Sequence, residues 1–358
     1  MVPAQNLYRL LCYAWDYVEG MALVDTGASP FEKVEDLLSN VLLMGTRQLL
    51  RRGLDRAYVR YEDDLAAPRG KLDVSTTIKR ALERSGRAAC SFDELDPDVL
   101  HNRILRTTLL RLARTKSVER ALREQLRQTA DRMTGVGEIE LNETAFRRVQ
   151  LHRNNAHYRF LLQLCELVWA HLVPVSEGSG YRFIDFRASP QVMGIVFEAF
   201  VRVFLRREQS FFAVAGERIG WALEPASPGA AQFLPAMRTD ICLVSKTRKV
   251  VIDAKLYKHA FATGMGGKRT LHSGHVYQLL AYLGNLELNG HQRPANVGVL
   301  LYGTAHERFD LRYSLMGKEI RVCALDLAQP WTQLRADLLG ISLGLQPTLR
   351  DPAGDSVL

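Results

Sequence analysis

Two aspartates and a lysine stand out in the stretch RTDICLVSKTRKVVIDAKLYK, residues 238–258. Two β-rich runs in this stretch flank the polar turn Ser245–Arg248 and predict a β-hairpin. If the turn is centred on its middle, Asp240 lies directly opposite Asp253, with about 5 Å between the two Cβ atoms. Lys255 follows Asp253 by two residues, so strand alternation turns it to the same face.

Opposed carboxylates on a sheet need a compensating positive charge. Like charges that face each other destabilise a strand pair, and a buried unpaired carboxylate costs more still. Mg²⁺ is the cation we expect, because it prefers oxygen ligands and is held by one or two carboxylates. Such an ion favours phosphodiester hydrolysis. Lys255 would position or deprotonate the attacking water, or stabilise the developing charge. The alternative interpretation is a surface hairpin with incidental charges.

Three polar residues on neighbouring predicted helices add to this set. Glu198 is a carboxylate within the otherwise apolar helical stretch VFEAFV and is a further candidate for contacting the metal or its water. Gln278 and Tyr282 lie one helical turn apart on one helix face, after the hairpin. The structural alternatives are a helix-surface glutamate and two core-edge polar groups. The order carboxylate helix, Asp strand, Asp-x-Lys strand, Gln-x-x-x-Tyr helix favours the catalytic interpretation.

The composition is that of a globular protein with an excess of positive charge. At roughly 150 residues per domain, the 358 residues predict two domains. The 47% of hydrophobic and 24% of charged residues exclude collagenous and wholly disordered chains. The net charge of +8 favours a polyanionic partner. The five scattered cysteines and the lack of a signal-peptide pattern or an apolar membrane-spanning run predict a cytoplasmic protein that is not bound to a membrane.

The first half of the chain, residues 1–175, is predicted to be a helical domain with a strand-rich insert near 57–93. One of its helices is expected to begin with Asp96 as N-cap and Pro97 in the first turn. The predicted helices fall at 6–17, 30–50, 97–133 and 155–172.

Eight basic and two acidic residues lie between positions 103 and 127. One interpretation is contact with DNA phosphates or an acidic partner. The other, which we favour, is a solvated helix face whose long side chains cover apolar surface. The segment SEGSG at 176–180 is the clearest linker signal, so we place the main domain boundary there.

The second half, residues 181–358, is predicted to be α/β, with a mixed sheet flanked by helices. Its predicted elements are helices at 190–207 and 272–285, strands near 211–222, 239–245, 249–255, 295–302 and 319–326, and a final helix.

The order of the site motifs resembles the PD-(D/E)xK nuclease superfamily, and the Gln-x-x-x-Tyr element resembles its RecB-type branch. The first motif reads Thr239-Asp240 here, with Pro235 nearby, where the superfamily has Pro-Asp. The resemblance implies a restriction-endonuclease-like fold for residues 181–358.

Further segments along most of the chain resemble the McrC subunit family of McrBC modification-dependent restriction systems. Carried over by residue, Asp240, Asp253 and Lys255 match the catalytic motif of that family, and Glu198 and Gln278 fit by position. The segments that carry the resemblance are Pro3–Tyr8, Leu11–Trp15, Gly70–Asp73, Asn102–Leu105, Phe197–Phe200, Arg238–Ile241, Val251–Lys255, Tyr277–Leu279 and Tyr282–Leu283.

This resemblance implies the nuclease subunit of a restriction complex directed to modified cytosine, which cuts double-stranded DNA and stimulates the GTPase of an AAA+ hexamer of the McrB type. The hexamer, and not this subunit, would recognise the modified site. Mg²⁺ is the implied cofactor, with Asp240, Asp253 and Glu198 as its ligands. GTP would be bound by the partner, since no G-x-x-x-x-G-K-[ST] motif occurs here. The first domain would contact the ring, with Arg69 and Lys71 as candidate contacts. Two copies would join through the nuclease domain.

Two other functions stay open at this point. The chain would be a regulatory or DNA-binding subunit with an inactive nuclease fold that activates an NTPase ring, or a nuclease that cuts without any partner. An intact catalytic motif favours the restriction nuclease over the inactive subunit, and we rank the nuclease without a partner lowest.

Overall fold

The chain folds into two compact units. One unit is Lys33–Asp185, and the other joins Met1–Glu32 to Phe186–Leu358. The predicted division into 1–175 and 181–358 therefore differs from the structure at the amino terminus, which packs with the carboxy-terminal unit. The computed structural model describes residues 2–22, 31–175, 180–224, 227–257, 260–263, 269–289 and 295–344.

Both units contain helices and strands, as the predicted mixed α/β class requires. Among the described helices, none is long and apolar enough to cross a membrane. The α-helices are α1 (Ala4–Ala14), α2 (Val34–Arg52), α3 (Val74–Lys79), α4 (Leu100–Ala113), α5 (Arg120–Asp131), α6 (Glu143–Arg147), α7 (Arg159–His171), α8 (Pro190–Glu208), α9 (Ser273–Leu288) and α10 (Trp331–Leu343). The strands are β1 (Ala57–Leu65), β2 (Lys71–Leu72), β3 (Ala88–Asp96), β4 (Leu172–Pro174), β5 (Tyr181–Phe183), β6 (Ala213–Ala215), β7 (Arg218–Ile219), β8 (Met237–Arg238), β9 (Ile241–Val244), β10 (Arg248–Leu256), β11 (Phe261–Thr263), β12 (Arg269–Leu271), β13 (Ala295–Thr304), β14 (Phe309–Leu315) and β15 (Lys318–Asp326).

In the unit of residues 33–185, α2, α4, α5 and α7 pack into a helical body. The single helix predicted from Pro97 onward is wrong, because the structure has two helices, α4 and α5. Asp96 belongs to a strand pair and caps no helix. The break falls at Thr115, whose hydroxyl donates to the Arg111 carbonyl at 2.9 Å.

The basic residues between 103 and 127 are thus divided between two helices, and several have acidic partners. Arg103 donates to Asp98 at 2.7 Å, and Arg127 donates to Glu124 at 2.8 Å. These pairings agree with the favoured interpretation, a solvated helix face.

A three-stranded antiparallel sheet in the order β1-β3-β2 forms the insert, residues 57–96. The strand-rich insert predicted near 57–93 is confirmed, but the segment after Gly70 is a strand only at Lys71–Leu72, since Asp73 caps α3 by accepting a backbone hydrogen bond at 3.0 Å. Gly70 precedes it at φ +69°, and a Cβ there would lie 2.5 Å from the Ser91 carbonyl oxygen. Only glycine fits this turn.

Asn102 ties together the two ends of the insert. Its Nδ2 donates to the Asp55 carbonyl at 2.9 Å and to the Pro97 carbonyl at 2.8 Å. The Asp55 carboxylate in turn accepts from Asn155 at 2.9 Å. Asn102 is fully buried, so water cannot replace these hydrogen bonds.

Asn102→Ala is expected to lower the free energy of unfolding by about 1–3 kcal/mol, because it removes the Asn102 donor from the Asp55 carbonyl and one of the two donors to the Pro97 carbonyl, which keeps the Val99 N–H. Chemical denaturation of the full chain measures the loss, with Gln128→Ala on the exposed side of α5 as a control. An unchanged denaturation midpoint for Asn102→Ala would contradict this role.

In the other unit, six strands of the described part of the chain form one mixed sheet in the order β14-β15-β13-β10-β9-β6. β10, β13 and β15 are parallel, and the other three are antiparallel to their neighbours. Phe197 of α8 lies against Gly303, and Leu279 of α9 lies against Gly298 on the opposite face of β13. The two helices therefore cover the two faces of the sheet.

Packing of α1 against α8 explains why the amino terminus belongs to this unit. The Tyr13 ring lies 5.7 Å from Phe200 and 5.3 Å from Phe204, between ring centroids. Asn6 Nδ2 donates to the Leu327 carbonyl at 2.9 Å. Apolar periodicity predicts the helix α1 but cannot name this distant partner.

The linker predicted at 176–180 lies, apart from Gly180, outside the described residues. The strands on either side of it, β4 and β5, pair with each other. The boundary between the two units follows them, at Asp185 and Phe186.

Candidate active site

The register of the predicted hairpin is confirmed. The β9–β10 ladder ends with Ile241 opposite Ile252. Asp240 and Asp253 are therefore the next two opposed residues beyond the end of the ladder. Asp253 is fully buried in β10. Asp240 lies just before β9, where its Oδ2 accepts from the Ala254 backbone N–H at 3.0 Å. The fold thus brings the two predicted carboxylates together.

Lys255 lies between these carboxylates. Its Nζ is 2.8 Å from Asp253 Oδ1 and 3.8 Å from Asp240 Oδ2. Burial disfavours the ammonium ion, but attraction by the two carboxylates outweighs burial and raises the pKa of Lys255. The lysine therefore compensates part of the negative charge of the pair.

Asp253 keeps one oxygen without a hydrogen-bond donor. Its Oδ2 is buried and has no hydrogen-bond partner among the described residues. Burial raises the pKa of Asp253 to about 6, against the opposing effect of Lys255. A buried carboxylate oxygen with no donor is a ligand that suits a hard cation. Asp240 and Asp253 therefore fit the predicted Mg²⁺.

The structure does not assemble the predicted set of three carboxylates. Among the described residues, no three His, Cys, Asp or Glu side chains are arranged to hold a metal ion. Burial, and next the charge of Asp240, raise the pKa of Glu198. Glu198 Oε1 accepts from Arg202 at 2.8 Å, and Arg202 also reaches the Asp240 carbonyl at 3.4 Å. Glu198 thus lies near the site and is linked to it through Arg202.

Gln278 and Tyr282 connect α9 to the strand that precedes Asp240. Gln278 Nε2 donates to the Tyr282 hydroxyl at 2.8 Å, and this hydroxyl donates to the Arg238 carbonyl at 2.9 Å. Arg238 is two residues before Asp240. Both residues of the Gln-x-x-x-Tyr element therefore support the backbone that positions Asp240.

Sequence reasoning misses three rings beside Lys255. Tyr257 follows Lys255 by two residues, and Tyr302 pairs with Lys255 in the parallel ladder. His275 lies within hydrogen-bond distance of both tyrosine hydroxyls. Strand alternation applied one step beyond Lys255 finds Tyr257, whereas the other two residues require the β10–β13 register.

The predicted partner contacts, Arg69 and Lys71, both lie on the insert. The Arg69 guanidinium is 3.7 Å from the centre of the Phe92 ring and pairs with Glu94 at 3.3 Å. Lys71 is exposed and lines a groove of ≈ 700 Å³ on the insert. Arg69 is thus engaged within the insert, while Lys71 borders open space.

Asp253→Asn is expected to stabilise the metal-free protein at neutral pH. The raised pKa means that the folded protein binds this proton more tightly than the unfolded chain does. Stability therefore falls as pH rises from the ordinary carboxyl pKa to about 6. Above this window the ionised group costs about 1–3 kcal/mol, which asparagine removes. Denaturation across pH measures the difference, which should vanish in acid.

Asp98→Asn is a control of the opposite sign, because the hydrogen bond from Arg103 holds the pKa of Asp98 below its usual range. That variant should lose stability at neutral pH. An Asp253→Asn protein that is less stable than the wild type at neutral pH would contradict a destabilising buried charge.

Known proteins resemble the chain along most of its length. The Escherichia coli (strain K12) protein "Type IV methyl-directed restriction enzyme EcoKMcrBC" is 28% identical over 341 residues, which cover 95% of this chain and 97% of that protein. A Thermococcus gammatolerans structure, a refined half-complex from a tetradecameric assembly of McrB AAA+ hexamers with bound McrC, contains a chain with a TM-score of 0.60. That chain is 18% identical, over 94% of this chain and 76% of its own length, and shows the same fold. A chain in the cryo-EM structure of the Thermococcus gammatolerans McrBC complex has a TM-score of 0.44 and 22% identity, over 58% of this chain and 59% of that one.

The match to a family model identifies the relationship. The family described as "McrBC 5-methylcytosine restriction system component" matches residues 4–303. That range contains the carboxylate pair, Lys255 and the Gln-x-x-x-Tyr element. Because this match covers most of the chain, the chain belongs to the family of McrBC 5-methylcytosine restriction system components.

Proposed function

We propose that this chain is the nuclease subunit of its restriction system, a Mg²⁺-dependent endonuclease that cuts double-stranded DNA carrying modified cytosine. The observation that carries the proposal is the buried Asp253 Oδ2, which has no donor within the described part of the chain and lies in a site shared with Asp240 and Lys255. Carboxylates with perturbed pKa values concentrate at functional sites. The similar Escherichia coli protein is a restriction enzyme by its name, which supports the same class of activity.

Asp240 and Asp253 would hold the ion through carboxylate oxygens. When bound, Mg²⁺ supplies positive charge beside the scissile phosphate and lowers the pKa of bound water. Lys255, on the same face of β10, would hold the phosphate or the attacking water through its ammonium group, as stabiliser or base. The Ala254 N–H orients Asp240 by donating to its Oδ2.

Glu198 and Gln278 would serve this chemistry through the backbone of Asp240. Arg202, held by Glu198, reaches the Asp240 carbonyl, while Gln278 acts through Tyr282 on the strand before it. Supporting residues that fix a metal ligand typically contribute 10–100-fold to affinity or activity.

We further propose that an AAA+ GTPase hexamer is the partner and binds the GTP. The Thermococcus structure with the same fold holds McrC on McrB AAA+ hexamers. The insert is the contact we propose, because Leu72, Val74 and Ile78 are 45%, 54% and 65% exposed. Clustered exposed apolar side chains mark protein-binding surfaces, and Lys71 adds a charge beside them. Two copies would join through the nuclease unit and cut both DNA strands.

A cleavage assay tests this function. Methylated and unmethylated plasmids are incubated with Mg²⁺ and GTP, with and without the AAA+ protein. We expect cutting only of methylated DNA and only with partner, GTP and Mg²⁺ together. Cutting by this chain alone would favour a nuclease that works without a partner. Stimulated GTPase without cutting, in Mg²⁺ or Mn²⁺, would favour an inactive activator subunit.

A further inference from the structure

Four rings beside Lys255 form a cluster that the proposed chemistry does not use. This ring cluster consists of Tyr257, His272, His275 and Tyr302. The Tyr257 ring centroid is 5.1 Å from that of His272 and 5.3 Å from that of His275. His275 Nδ1 is 2.9 Å from the Tyr302 hydroxyl, and His275 Nε2 is 3.3 Å from the Tyr257 hydroxyl. Both imidazole nitrogens are engaged, which fixes this ring between two tyrosines.

The ring cluster continues the active-site face of β10. Asp253, Lys255 and Tyr257 alternate onto one face, and the Tyr257 N–H donates to the Gly303 carbonyl at 3.1 Å, which extends the ladder. Two residues of strand span about 6.6 Å, and one strand of DNA rises about 3.4 Å per nucleotide. Tyr257 therefore lies about two nucleotide rises from Lys255.

Tyr257 borders open space, whereas the ring beneath it does not. Tyr257 is 39% exposed, while Tyr302 is fully buried. Burial, and next the charge of Lys255, lower the pKa of His275 to about 4, so this imidazole is neutral at physiological pH. At the surface the cluster presents the Tyr257 ring, an apolar aromatic face that suits the sugar or base of a nucleotide better than a phosphate.

We propose that Tyr257 is a substrate-positioning residue that packs against a nucleotide about two positions from the scissile phosphate, and that His275 positions the Tyr257 ring through its hydroxyl. The inference rests on the proposed nuclease function. It adds a subsite that holds the DNA strand in line with Asp253 and Lys255. Apolar contact of the ring with the sugar or base edge of that nucleotide is the interaction expected there.

Binding and kinetics of four variants test the subsite. The full chain with Asp253→Asn binds a short DNA duplex without cutting it, and KM and kcat are measured in the complex without that substitution. Tyr257→Ala is expected to weaken binding and raise KM by about 5- to 100-fold, with kcat little changed. Tyr257→Phe keeps the ring but removes the hydroxyl that contacts His275, so it should weaken binding about as much as His275→Ala does and less than Tyr257→Ala does. His275→Ala should weaken binding, and the double variant should bind no more weakly than Tyr257→Ala alone.

Tyr277→Ala is the matched control, because Tyr277 is 68% exposed on α9 and outside the ring cluster. It should bind and cut as the wild type does. His275→Gln retains a hydrogen-bond donor and an acceptor. Comparing it with His275→Ala separates the loss of Tyr257 positioning from a loss of folding.

Unchanged KM and binding in Tyr257→Ala, in a complex that cuts DNA, would overturn the subsite and leave the nuclease function intact. Additive losses in the double variant would overturn the positioning role of His275. A wild-type complex that never cuts DNA would contradict the nuclease function and this inference with it.

Discussion

With Asp253 changed to asparagine, DNA cleavage by the assembled complex is expected to fall by about a thousandfold or more. The substitution keeps the shape of the side chain but removes the charge that would hold the metal ion. Several kcal/mol of transition-state stabilisation depend on that ion. Cleavage is measured on methylated plasmid with Mg²⁺, GTP and partner, beside partner binding and GTPase rate, which should both persist.

Asp337→Asn is the control for this loss. Asp337 is on α10 in the same unit and pairs with Arg308 at 2.9 Å, so its change removes a carboxylate without touching the site. Full cleavage by the Asp253→Asn complex would show that the buried carboxylate takes no part in catalysis. Loss of partner binding in the Asp253→Asn variant would indicate that the β9–β10 hairpin has a structural role and not a catalytic one.

Replacing the insert with a short Gly-Ser linker is expected to return the partner GTPase to its unstimulated rate. The replacement is feasible because Ala57 and Asp96, the ends of the insert, pair directly in the ladder, about 5 Å apart. The remaining helices of residues 33–185 keep their mutual packing. GTP hydrolysis by the AAA+ protein, titrated with wild-type or linker protein, measures the effect.

Single substitutions refine the insert result. Lys71→Ala should reduce the stimulation, because Lys71 is exposed on the groove of the insert. Phe92 and Glu94 engage Arg69 within the insert, so Arg69→Ala should act mainly on the stability of the insert. Full stimulation by the linker protein would exclude the insert as the activating contact.

Local rules predicted the hairpin because turn length and strand alternation fix its register. Asp240, Asp253 and Lys255 could therefore be placed relative to one another from spacing alone. These rules could not predict that Asp253 Oδ2 is buried, because its burial depends on how the parallel strand β13 and the helix α9 cover β10. For the same reason, the ring cluster at Tyr302 and His275 appears only once the parallel register is known.

Long-range packing accounts for the remaining differences. The apolar periodicity near the amino terminus predicted the helix α1. It could not predict that α1 packs against α8, because α8 begins at Pro190, far along the chain. The break at Thr115 depends on longer-range contacts, such as the bridge from Thr115 to Tyr181, which override the helical pattern of the neighbouring residues. The strands β11, β12 and β14 were missed, because short or edge strands carry little alternation.

Glu198 shows the limit of matching by position. Its place in an apolar helix suggested a metal ligand, yet its carboxylate accepts a hydrogen bond from Arg202 at 2.8 Å. Residues one turn apart on a helix meet in this way, so Arg202 was a readable signal in the sequence. The structure thus favours a supporting role for Glu198.

Anomalous scattering from crystals soaked in Mn²⁺ tests the central claim, that Asp240 and Asp253 form a site for a divalent cation. The account predicts one peak at about 2.1 Å from Asp253 Oδ2, in contact with Asp240 and absent from Asp253→Asn crystals. Wild-type crystals without a peak at this pair, with Lys255 still bound to both carboxylates, would contradict it.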